Sequence, residues 1–149
     1  MTIPVEFLGG VDERAQPVMI PMAAGEARAG FPSPADDYME TELDLIAHIV
    51  QRPSSTFYVR AAGDSMERHG IFDGDILVVD RSLEPVDGDT VVIAVDGEIT
   101  CKRLGKIGQR PYLLAGNEAY RPIPLANAEC HVWGVVTHNV HSLRRGRSA

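Results

Sequence analysis

Repeated Asp-Gly pairs constrain the fold of this chain more than any other feature of its sequence, and they occupy residues 73–74, 87–88 and 96–97. An Asp-Gly pair is the strongest short-range signal for a β-hairpin turn, because its residues tolerate the positive φ angles that such turns require. The segments around the pairs are short and rich in β-branched or aromatic residues, as strands are. They read TFYVRA, ILVVD, TVVIAV, EITCKRL, YLLAG and HVWGVVTH. The pattern predicts a mainly β domain from Ser55 onward, with a two-residue hairpin spanning residues 91–104.

The stretch that precedes these strands carries signals for a helix. Ser33 is a suitable N-cap and Pro34 fits the first helical position, while Asp36 and Asp37 favour the positive end of the helix dipole. Apolar residues then recur at spacings of four, three and four, at Met39, Leu43, Ile46 and Val50. Asp44 is able to begin a second short helix. Pro53 prevents a helix from extending far beyond Arg52. We therefore predict a helical entry segment.

Residues 1–33 differ from the rest of the chain. They contain four prolines and the small-residue stretch MAAGEARAG, and neither a helical nor an alternating period runs through them. The sequence predicts an extended N-terminal arm, or at most a loose edge strand. This arm is too short to hold a helix-turn-helix domain.

The charge balance restricts the partners that the chain is expected to bind directly. The 149 residues suffice for one domain with a hydrophobic core, and 14 Lys and Arg stand against 21 Asp and Glu, which gives a net charge of −7. Phosphate contacts depend on clustered Lys and Arg, so unaided binding to DNA or to an anionic membrane is not expected. The basic cluster at Arg144, Arg145 and Arg147 is interpreted as a solvated tail.

The sequence indicates neither a membrane span nor a secretory signal. No run approaches the roughly 18 apolar residues that a span requires. The opening MTIPVEFLGG has neither the charged nor the apolar region of a signal peptide. Cys101 and Cys130 form no CxxC motif, and His131 beside Cys130 does not by itself make a metal site. We expect reduced cysteines, no metal and a cytoplasmic protein.

The segment AAGDSMERHG places Ser65 in a turn that a glycine precedes. A solvated turn is the simplest interpretation, since Gly, Asp and Ser are ordinary turn residues. A catalytic serine needs a base, because an isolated hydroxyl is a weak nucleophile at neutral pH. His69 is the histidine nearest to Ser65 in the sequence. A Ser-His-Asp arrangement stays open, because spacing neither supplies nor excludes the orienting carboxylate.

Lys102 is the better candidate for the base. It lies inside the strand-like segment EITCKRL, where alternation places Lys102 on one face and Cys101 and Arg103 on the other. Lys102 is then able to face the interior while the adjacent Arg103 faces solvent. Burial lowers the pKa of a lysine. A neutral lysine accepts a serine proton. The alternative is a strand lysine whose amine reaches solvent.

Five segments from Gly30 onward carry a resemblance to a known family. They are GFPSPADDY, GDSM, GIFDGDILVVD, VDGEITCKRL and WGVVTH. As a set they resemble the UmuD group of the LexA-type family of self-cleaving Ser-Lys peptidases, peptidase S24. The resemblance implies a mainly β, twisted LexA/signal-peptidase-like fold with a short helical entry segment and an extended N-terminal arm.

The resemblance also implies roles for individual residues. Ser65 corresponds to the nucleophile and Lys102 to the general base. The backbone N–H groups of Asp64 and Ser65 would form the oxyanion hole. Asp64 itself is interpreted as a structural turn residue and not as a catalytic acid.

The family cuts its own chain between a small residue and a glycine, just ahead of the segment FPSP. Here that bond is Ala29–Gly30, which divides the chain into a cleavable arm, residues 1–29, and a peptidase-like domain, residues 30–149. Relatives in the UmuD group often carry cysteine before the glycine, so alanine is a departure toward the LexA-like pattern. Ala24–Gly25 stays open as an alternative bond.

The resemblance implies partners and a biological setting. RecA filaments on single-stranded DNA would promote cleavage in the SOS response to DNA damage. The trimmed homodimer would then join a UmuC-like, error-prone translesion polymerase as its accessory subunit, without a cofactor. Two alternatives are a LexA-like self-cleaving repressor, for which the arm is short, and a non-catalytic interaction module of the same fold.

Overall fold

The computed structural model describes residues 5–23 and 39–144 of the chain. Most regular structure within these ranges is β-strand, so the prediction of a mainly β fold is confirmed. The strands there are β1 (Val5–Gly10), β2 (Met19–Ala23), β3 (Met39–Asp44), β4 (Thr56–Ala61), β5 (Ile76–Asp80), β6 (Thr90–Val95), β7 (Glu98–Ile107), β8 (Arg110–Leu114), β9 (Ile123–Pro124) and β10 (Cys130–Val140). The helical elements are the α-helix α1 (Leu45–Ile49) and 3₁₀ turns at Pro53–Ser55, Glu67–His69 and Leu125–Asn127.

The described residues form two compact units. The larger comprises the residues up to Val11 and those from Arg52 onward, and the smaller comprises those between Asp12 and Gln51. Across both described ranges, no helix has the length and apolar character needed to cross a membrane.

The larger unit is built on one antiparallel sheet of eight strands, in the order β1-β4-β5-β10-β6-β7-β8-β9. The six segments predicted as strands coincide with β4, β5, β6, β7, β8 and β10. Strand β1 contacts β7 although four strands separate them in the sheet order. The sheet is therefore strongly curved, and this curvature brings elements from distant parts of the sheet together.

The predicted hairpin is confirmed at β6 and β7. Val95 pairs with Glu98, and the two turn residues between them have positive φ angles, 49° at Asp96 and 85° at Gly97. These are the angles that a two-residue hairpin turn requires, and they explain why an Asp-Gly pair occupies the position. The other Asp-Gly pairs also lie in turns, where Gly74 and Gly88 have positive φ angles.

The core follows from strand alternation. Strand β6 directs Val92 into one apolar cluster, with Phe57, Val59, Leu77, Val79 and Cys101 among its members. It directs Val91, Ile93 and Val95 into a second cluster, together with Leu113 and Val135. Successive side chains of a strand point to opposite faces, so β6 is buried on both faces and forms the centre of the unit.

The smaller unit corrects part of the helix prediction. Met39–Asp44, predicted as helical, is the strand β3, which pairs antiparallel with β2 and places Leu43 opposite Ile20. The ladder of β2 supplies backbone partners that the apolar spacing alone did not reveal. The predicted cap at Ser33 and the residues 34–38 lie outside the described residues. The prediction of a short helix that begins at Asp44 is confirmed, because the carboxylate of Asp44 caps α1 by accepting the N–H of Ala47.

The N-terminal arm contains more regular structure than its sequence indicated. Strand β1 lies at one edge of the large sheet and pairs with β4, which confirms the edge-strand interpretation for Val5–Gly10. Strand β2 was not predicted, because prolines and glycines around it obscure any alternation.

Asp80, at the end of β5, is a buried carboxylate that ties β5 to the start of β4. Only 4% of it is exposed, and it accepts hydrogen bonds from Arg52 (3.0 Å), from Ser55 (2.9 Å) and from the backbone and side chain of Ser82 (2.8 and 2.7 Å). Burial by itself raises the pKa of Asp80, but the hydrogen bonds from Ser82, Ser55 and Arg52 outweigh burial and hold the pKa below its ordinary value.

We predict that Asp80→Asn lowers the free energy of unfolding at pH 7 by about 1–3 kcal/mol, because four donor groups from three residues lose their charged acceptor. The folded-state pKa lies below the unfolded one, so the contribution is complete above the unfolded pKa, near 4, and disappears as the pH falls through the folded pKa. Urea denaturation of both proteins between pH 3 and 7 checks this prediction. Glu84→Gln, at an exposed acid, is the control. A difference that stays constant over this range would contradict the prediction.

Candidate active site

The structure brings Ser65 and Lys102 into direct contact. Lys102 Nζ lies 3.2 Å from Ser65 Oγ, although 37 residues separate them in the chain. Both are closed off from solvent, with 1% of Ser65 and 2% of Lys102 exposed. Ser65 follows β4 in a loop, and Lys102 extends from β7. An amine and a hydroxyl at hydrogen-bond distance in a dry site are able to exchange a proton.

The loop that carries Ser65 is held by its own turn residues. Gly63 has a φ of 86°, and its N–H donates a 2.7 Å hydrogen bond to the carboxylate of Asp73. Few residues with a side chain adopt this φ, so the glycine permits the sharp bend that precedes the serine. The bend turns the chain from the end of β4 toward β7.

The charge state of Lys102 follows from its burial. Loss of solvation disfavours the ammonium and lowers the pKa of Lys102, and the neighbouring Cys101 opposes this with a smaller effect. Burial also raises the pKa of Cys101 to about 12, so its thiol stays protonated at neutral pH. Lys102 therefore loses its proton at a lower pH than an exposed lysine, and the predicted inward orientation of its side chain is confirmed.

The backbone at Ser65 offers donors for an oxyanion. Among the described residues, the N–H groups of Asp64 and Ser65 make no hydrogen bond, whereas the carbonyl of Ser65 accepts the N–H of Gly116. Backbone N–H groups of this kind are the donors that stabilise an oxyanion in acyl-transfer sites. The carboxylate of Asp64 accepts the hydroxyl of Tyr120 at 2.8 Å, a contact that fits its interpretation as a structural residue.

Residues 116–120 form a part of the site that sequence reasoning missed. Gly116 lies against the loop of Ser65, since its carbonyl accepts the N–H of Arg68 at 2.9 Å. Asn117 donates from its side chain to the carbonyl of Asp64 at 3.3 Å, and the Tyr120 ring centre lies 5.3 Å from Lys102 Nζ. No motif marks this segment, and no local pattern links it to a loop more than 50 residues earlier.

A cleft of about 600 Å³ opens beside the amine of Lys102. Its remaining lining is one continuous stretch, residues 119–124, which leads into β9 at the edge of the sheet. A cleft of this volume provides room for an extended peptide.

The histidine alternative finds no support in the described part of the chain. No histidine there hydrogen-bonds Ser65. Burial, and then the charge of Arg103, lowers the pKa of His69, and its Nδ1 atom has no hydrogen-bond partner among the described residues. His141 does pair with the buried Asp75, Nδ1 to Oδ1 at 2.6 Å, but this pair makes no bond to Ser65.

Two further predictions concern other parts of the site. Both proposed scissile bonds, Ala29–Gly30 and Ala24–Gly25, lie outside the described residues. Within the described ranges, no group of three or more potential metal ligands comes together.

Comparison with known proteins adds to this geometry. Residues 21–137 match the family model described as Peptidase S24-like. The chain is 47% identical to protein SamA of Salmonella typhimurium over 124 residues. These residues are 83% of this chain and 86% of SamA. The chain is 44% identical over 127 residues to protein ImpA of Escherichia coli, covering 85% and 87%, and 43% identical over 123 residues to protein MucA of Escherichia coli, covering 81% and 84%.

Proposed function

Because this chain belongs to the Peptidase S24-like family, we propose that it is a self-cleaving serine endopeptidase with a Ser-Lys dyad, in which Ser65 is the nucleophile and Lys102 the general base. The single observation that supports these roles best is the 3.2 Å approach of the Lys102 amine to the Ser65 hydroxyl in a buried site. A binding module has no need of a buried lysine, whose desolvation is costly.

The proposed reaction proceeds in two steps. Neutral Lys102 accepts the proton of Ser65 as Oγ attacks the carbonyl carbon of the scissile bond. The N–H groups of Asp64 and Ser65 stabilise the oxyanion of the tetrahedral intermediate. The Lys102 ammonium then donates its proton to the leaving amine, and the C–N bond breaks. A water molecule, deprotonated by Lys102, hydrolyses the ester on Ser65 and restores the hydroxyl.

The proposed scissile bond is Ala29–Gly30. The small side chain of Ala29 requires little space beside the nucleophile, and Gly30 has no Cβ to clash as an extended chain enters the site. In the sequence, the bond lies between β2 and β3, two strands that pair with each other. Cleavage there separates the arm, residues 1–29, from the domain of residues 30–149.

The proposed setting is the SOS response to DNA damage. RecA filaments on single-stranded DNA promote the cleavage, and the trimmed chain forms a homodimer that serves a UmuC-like, error-prone translesion polymerase in the cytoplasm. The support for this part is the resemblance to the UmuD group. The net charge of −7 fits a protein that reaches DNA through protein partners rather than through its own phosphate contacts.

We predict that the purified chain yields a product beginning at Gly30, and that Ser65→Ala and Lys102→Ala each abolish it. The rate should rise with pH as Lys102 loses its proton and reach its plateau below the pKa of an ordinary lysine, because burial lowers that of Lys102. Intact-mass measurements between pH 6 and 10, with and without RecA filaments, give the rates.

The matched control for the base is Lys106→Ala, which removes a half-exposed lysine from the same strand. This variant should cleave at the wild-type rate. Continued cleavage in Ser65→Ala would show that another nucleophile or a contaminant acts. A wild-type chain that stays intact even with RecA filaments would favour the interaction-module alternative.

We further predict that Gly30→Glu blocks processing, because its side chain clashes where the scissile bond enters the site. Far-UV circular dichroism should show that the β fold is retained. Gly25→Glu is the matched control and should still yield the product that begins at Gly30. If Gly30→Glu is cut normally and Gly25→Glu is not, the scissile bond is Ala24–Gly25.

A further inference from the structure

Tyr120 contacts Asp64, the neighbour of Ser65, and Lys102 through different parts of one side chain. Its hydroxyl donates a 2.8 Å hydrogen bond to the carboxylate of Asp64, the residue next to Ser65. Its ring centre lies 5.3 Å from Lys102 Nζ, and the ring is part of the cleft lining that also includes Lys102. We propose that Tyr120 is a positioning residue for self-cleavage, its hydroxyl holding the loop of Ser65 and its ring covering the amine of Lys102. This inference rests on the proposed function.

The hydroxyl is suited to hold the loop. The hydrogen bond to Asp64, and then burial, raise the pKa of Tyr120, so its phenol stays protonated and remains a donor. Asn117 holds the carbonyl of Asp64 from the same segment. Asp64 is thus fixed at its carboxylate and at its carbonyl, while its N–H makes no hydrogen bond within the described residues. Fixed donors are what an oxyanion requires.

The ring is suited to keep the amine dry. Burial is the largest cause of the lowered pKa of Lys102, so a path for water would raise it. The titratable and charged groups around Lys102 are few. Cys101 neighbours it on β7, Arg121 lines the cleft, and Asp64 and Glu67 on the loop of Ser65 act on the Tyr120 phenol.

Two substitutions separate the functions of hydroxyl and ring. Tyr120→Phe should lower the plateau rate of self-cleavage about 3–10-fold without moving the pH midpoint, and adding Asp64→Ala should have little further effect. Tyr120→Ala should also move the midpoint to higher pH. Tyr112→Phe, on β8, is the control with wild-type behaviour. A wild-type plateau in Tyr120→Phe, or an unmoved midpoint in Tyr120→Ala, would overturn the proposal.

A second readout does not depend on cleavage. In the Ser65→Ala chain, NMR titration of the Lys102 amine should show a higher pKa when Tyr120→Ala is added. This result would support the role of the ring even if the wild-type chain never cleaves itself. An unchanged titration would contradict it.

A different observation carries a second inference, which concerns the arm. The arm contains β1 and β2, and each pairs with a strand from the other side of the proposed scissile bond. Strand β1 pairs with β4 over five residue pairs, and β2 pairs with β3 over five. We infer that cleavage at Ala29–Gly30 leaves the arm docked on the domain as a two-piece complex, and that loss of β1 is a separate, later step.

The contacts of β1 show why it should stay. The ring of Phe7 contacts that of Phe57 in a tilted arrangement with centroids 5.6 Å apart, and Val5 packs against the core cluster that contains Phe57. Two pairings within one fragment act as a bivalent attachment, since each holds the other strand close to its site. Departure of β1 would leave the backbone of β4 as an unpaired edge, a site at which another strand is able to add.

The test uses the full chain and does not require self-cleavage. A Ser65→Ala chain with a site-specific protease sequence inserted between Ala29 and Gly30 is cut to completion, as checked by denaturing mass spectrometry. Size-exclusion chromatography and native mass spectrometry at micromolar concentration should then find both pieces together. Pieces that separate at once would overturn the inference, whereas the proposed peptidase activity would be unaffected.

A pair of variants ties retention to β1. Phe7→Ser should speed release of the arm about tenfold, because the aromatic contact with Phe57 is lost. Val18→Ser, at a residue 70% exposed outside the strands of the arm, should leave the release rate unchanged. Equal release rates for the two variants would contradict the role of β1.

Discussion

The proposed chemistry depends on a contact between a lysine amine and a serine hydroxyl that is shielded from water. Burying an ammonium is unfavourable, so the site favours the neutral amine that a general base requires. The same desolvation makes Lys102 a poor contributor to stability. The unit tolerates it because β6 and β8 flank β7 on both sides and because large apolar clusters supply the core. The unfavourable burial of Lys102 is therefore offset by apolar packing elsewhere in the sheet.

The curvature of the sheet makes this contact possible. Ser65 follows β4 and Lys102 lies on β7, and three strands stand between β4 and β7 in the sheet order. In a flat sheet the two residues would be far apart, since neighbouring strands are about 4.8 Å from each other. The segment of residues 116–120 then fixes the approach, because Gly116, Asn117 and Tyr120 each bond to the loop of Ser65 or to its neighbour.

The N-terminal arm ends at the proposed scissile bond and contains two strands, β1 and β2, each paired with a strand beyond that bond. A self-cleaving protein is its own substrate, so the position of the cut determines which contacts lose their covalent connection. Here the cut would fall between two strands that pair with each other, and the piece removed also holds an edge of the large sheet. Under the proposed function, bond cleavage and exposure of the β4 edge would therefore be distinct events, because the pairing of β1 with β4 does not depend on the scissile bond.

The sequence by itself determined six of the strands, β4 to β8 and β10, and the turn between β6 and β7, because strand composition and the φ angles of Asp96 and Gly97 are local properties. It also marked Ser65 and Lys102 as candidates through their chemistry, but only the family resemblance implied their roles. Only the tertiary structure decided that Met39–Asp44 is a strand and that Tyr120 touches both Asp64 and Lys102. These outcomes depend on ladder partners, on burial and on contacts between residues up to 56 positions apart, and no short window of sequence contains them.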